Sequence, residues 1–257
     1  MDNIIKIEGL NYTDLLKDFC IEIPKQKLIT ISGPNNCGKT TLIRILNREI
    51  ITENSIMINS KRINEYKIEE YSKLIQAIIP KECMFLEKCL EEELYLYGSE
   101  SEIEIIVDKL GLKKVLKKDF KHLSNSEFVL CQLAVALIRK PKILLIDNLY
   151  SYLEEKQKEN ILDYMKKYQQ DNKMTIIQTT TQLEESLNSD LLYIISDGNI
   201  KLSGDPITVL KNDNIINKIG LNIPFMLDLS VKLIDYDLIE DIELDMDRMV
   251  NKLWKSS

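Results

Sequence analysis

Gly33-Pro34-Asn35-Asn36-Cys37-Gly38-Lys39-Thr40 is a full match to the phosphate-binding pattern G-x-x-x-x-G-K-[ST]. The β-rich run Leu28 to Ser32 leads into it and Thr41 to Leu46 follows with apolar residues at helical spacing, so strand, loop and helix stand in the required order. Successive backbone N–H groups of such a loop, at the positive end of a helix, cradle an anion. Lys39 supplies a point charge for β- and γ-phosphates, and the Thr40 hydroxyl a ligand for Mg²⁺. Gly38 is expected because a Cβ there would crowd the phosphates. These residues predict a nucleotide site in an α/β fold of the P-loop NTPase class.

Upstream, Ile4 to Asn11 reads as a strand, and Phe19, Ile21 and Ile23 alternate with Cys20 and Glu22 as a second, before Pro24-Lys25-Gln26-Lys27 turns into the P-loop strand. Tyr12, between the two, is placed either to stack on an adenine ring or to pack on the sheet as a strand-end aromatic. Ser55 to Asn59 is a further strand candidate, so an antiparallel layer accompanies the P-loop core.

Downstream, the stretch from Glu87 to Leu123 reads as helices, Cys89 to Tyr97 and Glu102 to Leu110, followed by a lysine-rich connector. Ser124 to Ile138 is a periodic helix with Leu130, Leu133, Ala134, Leu137 and Ile138 on one face and an S-x-x-E capping box of Ser124 and Glu127. Lys142 to Asp147 reads as a buried parallel strand that ends in a carboxylate, the place of the Mg²⁺-associated aspartate in P-loop proteins; a turn or cap aspartate is the alternative. A helix from Glu154 to Tyr168, a strand from Met174 to Thr179 and a hairpin about Asp197-Gly198 continue the pattern. Beyond Gly204 the chain is mostly helical, with breaks at Gly220 and Pro224. The expected organisation is a nucleotide-binding unit over 1–205, with a helical subdomain inserted at about 87–139, and a C-terminal helical extension over 206–257.

Composition narrows the function. With 257 residues, 44% of them hydrophobic and 29% charged, the chain is expected to be a soluble globular protein with one sizeable core. Acidic residues outnumber basic ones 41 to 34, for a net charge of −7, and no basic tract interrupts the chain, which disfavours binding to nucleic acid. Cys20, Cys37, Cys83, Cys89 and Cys131 show no C-x-x-C spacing and His122 is the only histidine, so no zinc ligand set is visible. The odd cysteine count and the lack of a signal peptide point to the reducing cytoplasm. No apolar run approaches roughly 18 residues, so a membrane would be met through a partner.

In this order and spacing, several of these stretches resemble the ATP-binding subunit of ABC transporters, over nearly the whole chain. Tyr12 fits the adenine-stacking aromatic, Gly33 to Thr41 the Walker A loop, Leu123-Ser124 the start of the signature motif and Ile143 to Asp147 the Walker B strand. Ser151-Tyr152-Leu153-Glu154 falls where the family has an S-x-L-D loop. The tail, Gly204-Asp205-Pro206 followed by Gly220-Leu221-Asn222-Ile223-Pro224 and a helix through Leu233, is similar to that of energy-coupling factor (ECF) type importers for vitamins and metal ions. The resemblance implies an ABC-type cassette that uses ATP and Mg²⁺. Tyr12, Gly33, Asn35, Asn36, Cys37, Gly38, Lys39, Thr40, Thr41 and Ser124 would contact nucleotide, with Thr40 and Asp147 on the metal. It also implies a dimer holding each ATP between one P-loop and the other chain's signature helix, a transmembrane ECF partner, and a separate membrane protein that selects the substrate. Such a subunit sits peripherally on the cytoplasmic face of the membrane.

The departures from the family pattern concern catalysis. Asn148 stands where members carry the glutamate that polarises the attacking water, and Thr181 falls at the switch histidine. Leu123-Ser124-Asn125-Ser126-Glu127 keeps the signature serine but replaces its glycines and adds a carboxylate beside the partner's γ-phosphate position. The capped helix start at Ser124 reads as a second anion site. Gln76 is the glutamine nearest to the Q-loop region around Ile78-Ile79-Pro80. Losing a positioned general base lowers a rate by about 10²–10⁴, so weak turnover is expected, with an intact paralogue as the second cassette. Glu91-Glu92-Glu93 reads either as solvated carboxylates at a helix N-terminus or as a dock for the membrane partner's basic coupling helices. A non-catalytic regulatory or structural subunit is the alternative function. A small-molecule kinase would make the Tyr12, Leu123-Ser124 and tail matches coincidental.

Overall fold

A computed structural model of the chain describes residues 2–52, 56–80, 82 and 85–255. Ser55, where the sequence reading starts a strand, and Cys83 lie outside the described residues.

Alternation of apolar and polar residues gives β1 (Asn3–Tyr12) and β2 (Leu16–Pro24), which pair antiparallel with Lys6 opposite Glu22 and Tyr12 opposite Leu16. β3 (Leu28–Ser32) is buried at every residue, as a strand covered on both faces must be. After α1 (Lys39–Leu46), β4 (Ile56–Ile58) and β5 (Lys61–Arg62) return to the first sheet, and α2 (Ile68–Leu74) leads directly into β6 (Ile75–Ile78). Then come α3 (Leu90–Tyr95), α4 (Glu100–Lys109), α5 (Asn125–Ile138), β7 (Ile143–Asp147), α6 (Glu155–Asn172) and β8 (Thr175–Thr180). The hairpin β9 (Leu191–Ser196) and β10 (Asn199–Gly204) precedes α7 (Pro206–Leu210), α8 (Asp213–Lys218), α9 (Phe225–Asp235) and α10 (Met246–Lys255).

Among the described residues the strands form two sheets, ordered β2-β1-β4-β5 and β10-β9-β3-β8-β7-β6. These are the antiparallel layer and the P-loop core expected from the sequence. In the larger sheet β3 runs parallel to β8 and β9, and β7 parallel to β6 and β8. The order brings the C-terminal ends of β3, β8 and β7 side by side, with Ile31 paired to Thr179 and Thr179 to Asp147. That edge is where ligands bind in open α/β sheets.

One core cluster joins β1 and β2 (Ile5, Phe19) to α1 (Leu42, Ile43) and the neighbouring strands. A second gathers α3, α4, α5 and α6 against β7. The expectation of a one-faced α5 is corrected: every residue from Val129 to Ile138 is buried. The helix is enclosed by α3 and α4 and by β6, and a helix apolar all round belongs inside. A third cluster seats the C-terminal helices on β9, through Leu192 and Ile194 against Val209, Leu210, Ile216 and Leu227. Among the described residues no helix is long and apolar enough to cross a membrane.

Candidate nucleotide site

The loop between β3 and α1 is shaped by what lies behind it. Gly38 has φ +101°, in the left-handed region, and a Cβ there would stand 2.8 Å from the Leu15 carbonyl oxygen at the tip of the β1–β2 hairpin. The neighbouring backbone therefore excludes a side chain by itself, a reason that adds to the one expected from the sequence. Gly33 is constrained harder, since its Cβ would lie 2.1 Å from the Ile195 carbonyl oxygen of β9. Tyr12, half-buried, ends β1 at the same hairpin tip and packs against the core of β1, β2 and α1.

Lys39 is buried and folds back over its own loop, donating to the carbonyl oxygens of Gly33 at 2.7 Å and Pro34 at 2.8 Å, with Cys37 Sγ at 3.7 Å. Burial holds its pKa below the ordinary lysine value, against the opposing pull of Cys37 and Asp147. A phosphate entering the loop would give this ammonium charged acceptors in place of two neutral carbonyls. Asn35 and Asn36 are exposed at the loop tip, Cys37 is buried beneath it, and Thr41 is half-buried in the first turn of α1.

Asp147 is delivered by β7 to the same edge. Thr40 Oγ1 donates to its Oδ2 at 2.8 Å, and Thr179 Oγ1 of β8 donates to its Oδ1 at 2.6 Å. Both carboxylate oxygens are thus aimed, one toward the loop and one held by the intervening strand. The sequence reading missed Thr179; its signal is the register that pairs it with Asp147, which becomes visible once β8 is placed beside β7. A hydroxyl and one carboxylate suit Mg²⁺, which keeps waters and takes phosphate oxygens for the rest of its shell. Among the described residues no group of three or more His, Cys, Asp or Glu side chains could hold a metal. An ion at Thr40 and Asp147 would share its shell with the nucleotide.

Asn148 follows in a left-handed conformation, φ 46° and ψ 37°, which asparagine tolerates better than most residues. Its N–H donates to Thr179 O at 3.1 Å and its C=O accepts from Ser151 Oγ at 2.8 Å, so the backbone is fixed while the side chain is half-exposed. Thr181, just beyond β8, lines a cleft of about 700 Å³ together with Pro34 and Asn35 of the loop, Lys158 of α6, and Gly220, Leu221 and Asn222 of the C-terminal segment. Lys158 ties α6 to the Thr181 loop, donating to Gln182 Oε1 at 3.0 Å and pairing with Glu155 at 3.0 Å. Glu185, 4.0 Å from Lys158, is buried, and burial raises its pKa while Thr180 and Lys158 pull it down.

Ser124 is not brought to this loop; its hydrogen bonds stay within its own turn. The capping box forms as expected, and it sets a carboxylate of the chain itself beside the expected second anion site. Glu127 Oε2 accepts from Ser124 N at 2.7 Å and pairs with Lys118 at 3.3 Å, so a carboxylate of the chain itself occupies the helix start. That backbone bond, with help from Lys118, holds Glu127 below the usual carboxylate range. Neither reading of Glu91-Glu92-Glu93 fits Glu93, whose buried carboxylate accepts from the N–H groups of Leu86 and Glu87. Glu91 lies 3.6 Å from Lys117 and Glu92 is exposed. Gln76 turns its amide onto the carbonyls of Ser72 and Ile75.

Strand, phosphate loop and helix, with an aspartate delivered from the second strand over, define a P-loop nucleotide-binding cassette. A family model described as ABC transporter matches residues 16–151, a span that holds the loop, α5 and Asp147. The chain belongs to the ABC transporter family. It is similar to the energy-coupling factor transporter ATP-binding protein EcfA1 of Mycoplasma mobile, at 25% identity over 252 residues, covering 93% of this chain and 90% of the relative. EcfA1 of Mycoplasmopsis pulmonis is 27% identical over 257 residues, 90% of this chain and 93% of the relative. Among solved structures, cbiO1 from Clostridium perfringens, described as part of the ABC transporter complex cbiONQ, superposes with a TM-score of 0.70 at 21% identity, over 89% of this chain and 99% of that one.

Proposed function

We propose that this chain is the ATP-binding subunit of an ECF-type importer, and that its own site binds Mg-ATP far better than it hydrolyses it. In this reading Tyr12 stacks on the base, Gly33 to Thr41 hold the phosphates, Thr40 and Asp147 hold Mg²⁺, and Ser124 faces the nucleotide of a second cassette chain. Closure of the two cassettes on ATP drives a transmembrane ECF partner, and a substrate-binding membrane protein of the same complex selects the vitamin or metal ion. The chain works peripherally at the cytoplasmic face of the membrane. The EcfA1 relatives, matched over nearly their whole length, support the assignment to an importer.

The observation that carries the weak-turnover reading is Asn148. Its backbone is fixed by Thr179 and Ser151 beside Asp147; in this reading its side chain stands at the attacking water, and an amide cannot take that water's proton. Thr181 adds no titratable group, and Glu127 fills the signature turn with negative charge. A catalytically intact paralogue as second cassette would supply the missing glutamate at its own Walker B strand. The same observations favour, as a second reading, a non-catalytic regulatory or structural subunit that uses ATP for assembly.

The experiment is purification of the tagged full chain from its native host, with titration of ATP in the presence of Mg²⁺ and identification of co-purifying chains. We expect saturable Mg-ATP binding, a second cassette chain and a multi-span membrane protein. Absence of ATP binding, or of both partners, overturns the proposal.

A further inference from the structure

Gly220, Leu221 and Asn222 come from the far end of the chain, yet they line the cleft that Thr181 shares with Pro34 and Asn35. Their turn is built to be stiff. Beyond α8, Gly220 takes φ +80°, in the left-handed region; its N–H donates to Asn217 O and that of Leu221 to Ile216 O, both at 3.1 Å. These are the two bonds of a Schellman cap, and its apolar partners are present too, since Leu221 and Ile216 are buried in one cluster. A Cβ on Gly220 would meet nothing within 4 Å, so the glycine serves its backbone angle alone. Pro224 stands at the N-cap of α9 directly beyond, which closes the turn on its other side.

The turn leans on the segment that follows β8. Leu183, only 1% exposed, belongs to the same buried cluster as Leu221, Ile216 and Leu227, so the chain just past Thr181 is seated on the C-terminal helices. Toward the core the segment is tied by Gln182, whose N–H donates to Thr180 Oγ1 at 2.9 Å and whose Oε1 accepts from Lys158 at 3.0 Å. The γ-phosphate end of the loop borders the same cleft. The Lys39 ammonium, the charge for β- and γ-phosphates, rests on the carbonyls of Gly33 and Pro34, which puts the Pro34-Asn35 wall at that end. Among the described residues the side chains of Asn35, Thr181 and Asn222 make no hydrogen bond. Three polar groups from three parts of the chain thus border the cleft with their hydrogen-bonding capacity unused.

We propose that the Gly220-Leu221-Asn222 turn positions the Thr181 segment for the γ-phosphate, so that the C-terminal extension responds to ATP and not to ADP. The proposal rests on the nucleotide reading above and names a regulation of that site. Leu221 acts through Leu183, with which it shares a buried cluster, and Asn222 borders the cleft beside Thr181. Coupling between a ligand and a segment is reciprocal. If the γ-phosphate orders the turn, loosening the turn costs ATP affinity, while ADP, which lacks that phosphate, is spared. A Leu221 that merely fills the core would weaken both nucleotides alike.

The test uses the full chain purified from its native host. Mg-ATP and Mg-ADP affinities are measured by calorimetry, and amide hydrogen exchange is followed in the ligand-free, Mg-ADP and Mg-ATP states. We expect both nucleotides to protect residues 33–41 and Mg-ATP alone to slow exchange over 216–235. Leu221→Ala should weaken ATP by about five- to twentyfold with ADP unchanged, and should remove the ATP-specific protection; Leu221→Met should restore both. If Leu221→Ala does not fold, Gly220→Ala strains the turn without opening the core and is expected to act in the same way. Gly220→Asn, which accepts the left-handed angle, is its rescue. Equal exchange over 216–235 with ATP and ADP, an unchanged ATP affinity in these variants, or equal losses for the two nucleotides would overturn the proposal. Binding of both nucleotides by the unsubstituted chain without that difference in exchange sinks the turn's role alone, whereas binding of neither sinks the nucleotide reading and the turn with it.

Discussion

Thr40 and Asp147, 107 residues apart in the chain, meet in a 2.8 Å hydrogen bond that joins the helix after the phosphate loop to the end of β7. In the proposed Mg-ATP site that bond would set the two metal ligands side by side in advance, since Thr179 holds the other carboxylate oxygen at 2.6 Å. Asp147→Asn or Thr40→Val should therefore weaken ATP binding in Mg²⁺ by about ten- to a hundredfold, or roughly 1.5–3 kcal/mol for a charge-assisted contact. Affinity measured in EDTA should change little. Equal losses with and without Mg²⁺ would show that these residues act on the loop and not through the metal.

Lys39 gives a separable effect. Its ammonium is buried against two neutral carbonyls, so Lys39→Met removes a desolvated charge while filling similar space. The ligand-free melting temperature should be kept or raised, while the ATP-induced rise in melting temperature should shrink with the lost affinity. A variant that melts lower yet binds ATP normally would contradict the assignment of Lys39 to the phosphates.

Catalysis is expected to be recoverable. Asn148→Glu with Thr181→His should raise turnover by about 10²–10⁴, the usual worth of a positioned general base, or roughly 3–5 kcal/mol of barrier. A steady-state ATPase assay of the chain alone and of the double variant decides it. Vigorous turnover by the unsubstituted chain alone would refute weak catalysis, and no gain in the variant would place the defect in the Ser124 turn filled by Glu127.

Glu185 predicts a pH effect with a definite sign. Burial raises its folded pKa above the ordinary 4.5, so its contribution to stability is complete below that value and is lost as pH rises through the raised folded pKa. Glu185→Gln should match the unsubstituted chain at about pH 4 and become the more stable of the two toward neutrality. Urea unfolding at several pH values measures the difference. A variant less stable at neutral pH would show that pairing with Lys158 outweighs burial.

At Gly33 the constraint is steric. With the Ile195 carbonyl oxygen 2.1 Å from the place of a Cβ, Gly33→Ala should destabilise the fold by about 1–3 kcal/mol, the range for overpacking. Chemical denaturation of the ligand-free chain reads this directly, and an unchanged midpoint would mean that β9 yields.

The fold class was legible because its determinants are local. The eight residues from Gly33 to Thr40 are consecutive, the strands β3 and β7 span five residues each, and the Ser124–Glu127 capping box closes within one turn. Each depends on neighbours in the chain, which is what a sequence displays. The elements α2 and β6 escaped because seven and four residues are too few to declare a period, and they follow each other without a turn.

The rest was decided by strand order. β8 lies between β3 and β7 although it follows both in the chain, and this alone places Thr179 against Asp147 and beside Asn148. The same packing sets Leu15 and Ile195 against the loop glycines and turns Glu93 inward. Sequence by itself determined that the chain has the phosphate-loop pattern, and it supplied Asn148 and Thr181, the two residues on which the weak-turnover proposal rests. The tertiary structure decided which side chains hold, aim or neutralise one another, because those contacts cross between elements whose adjacency is set by sheet pairing and core burial and not by distance along the chain.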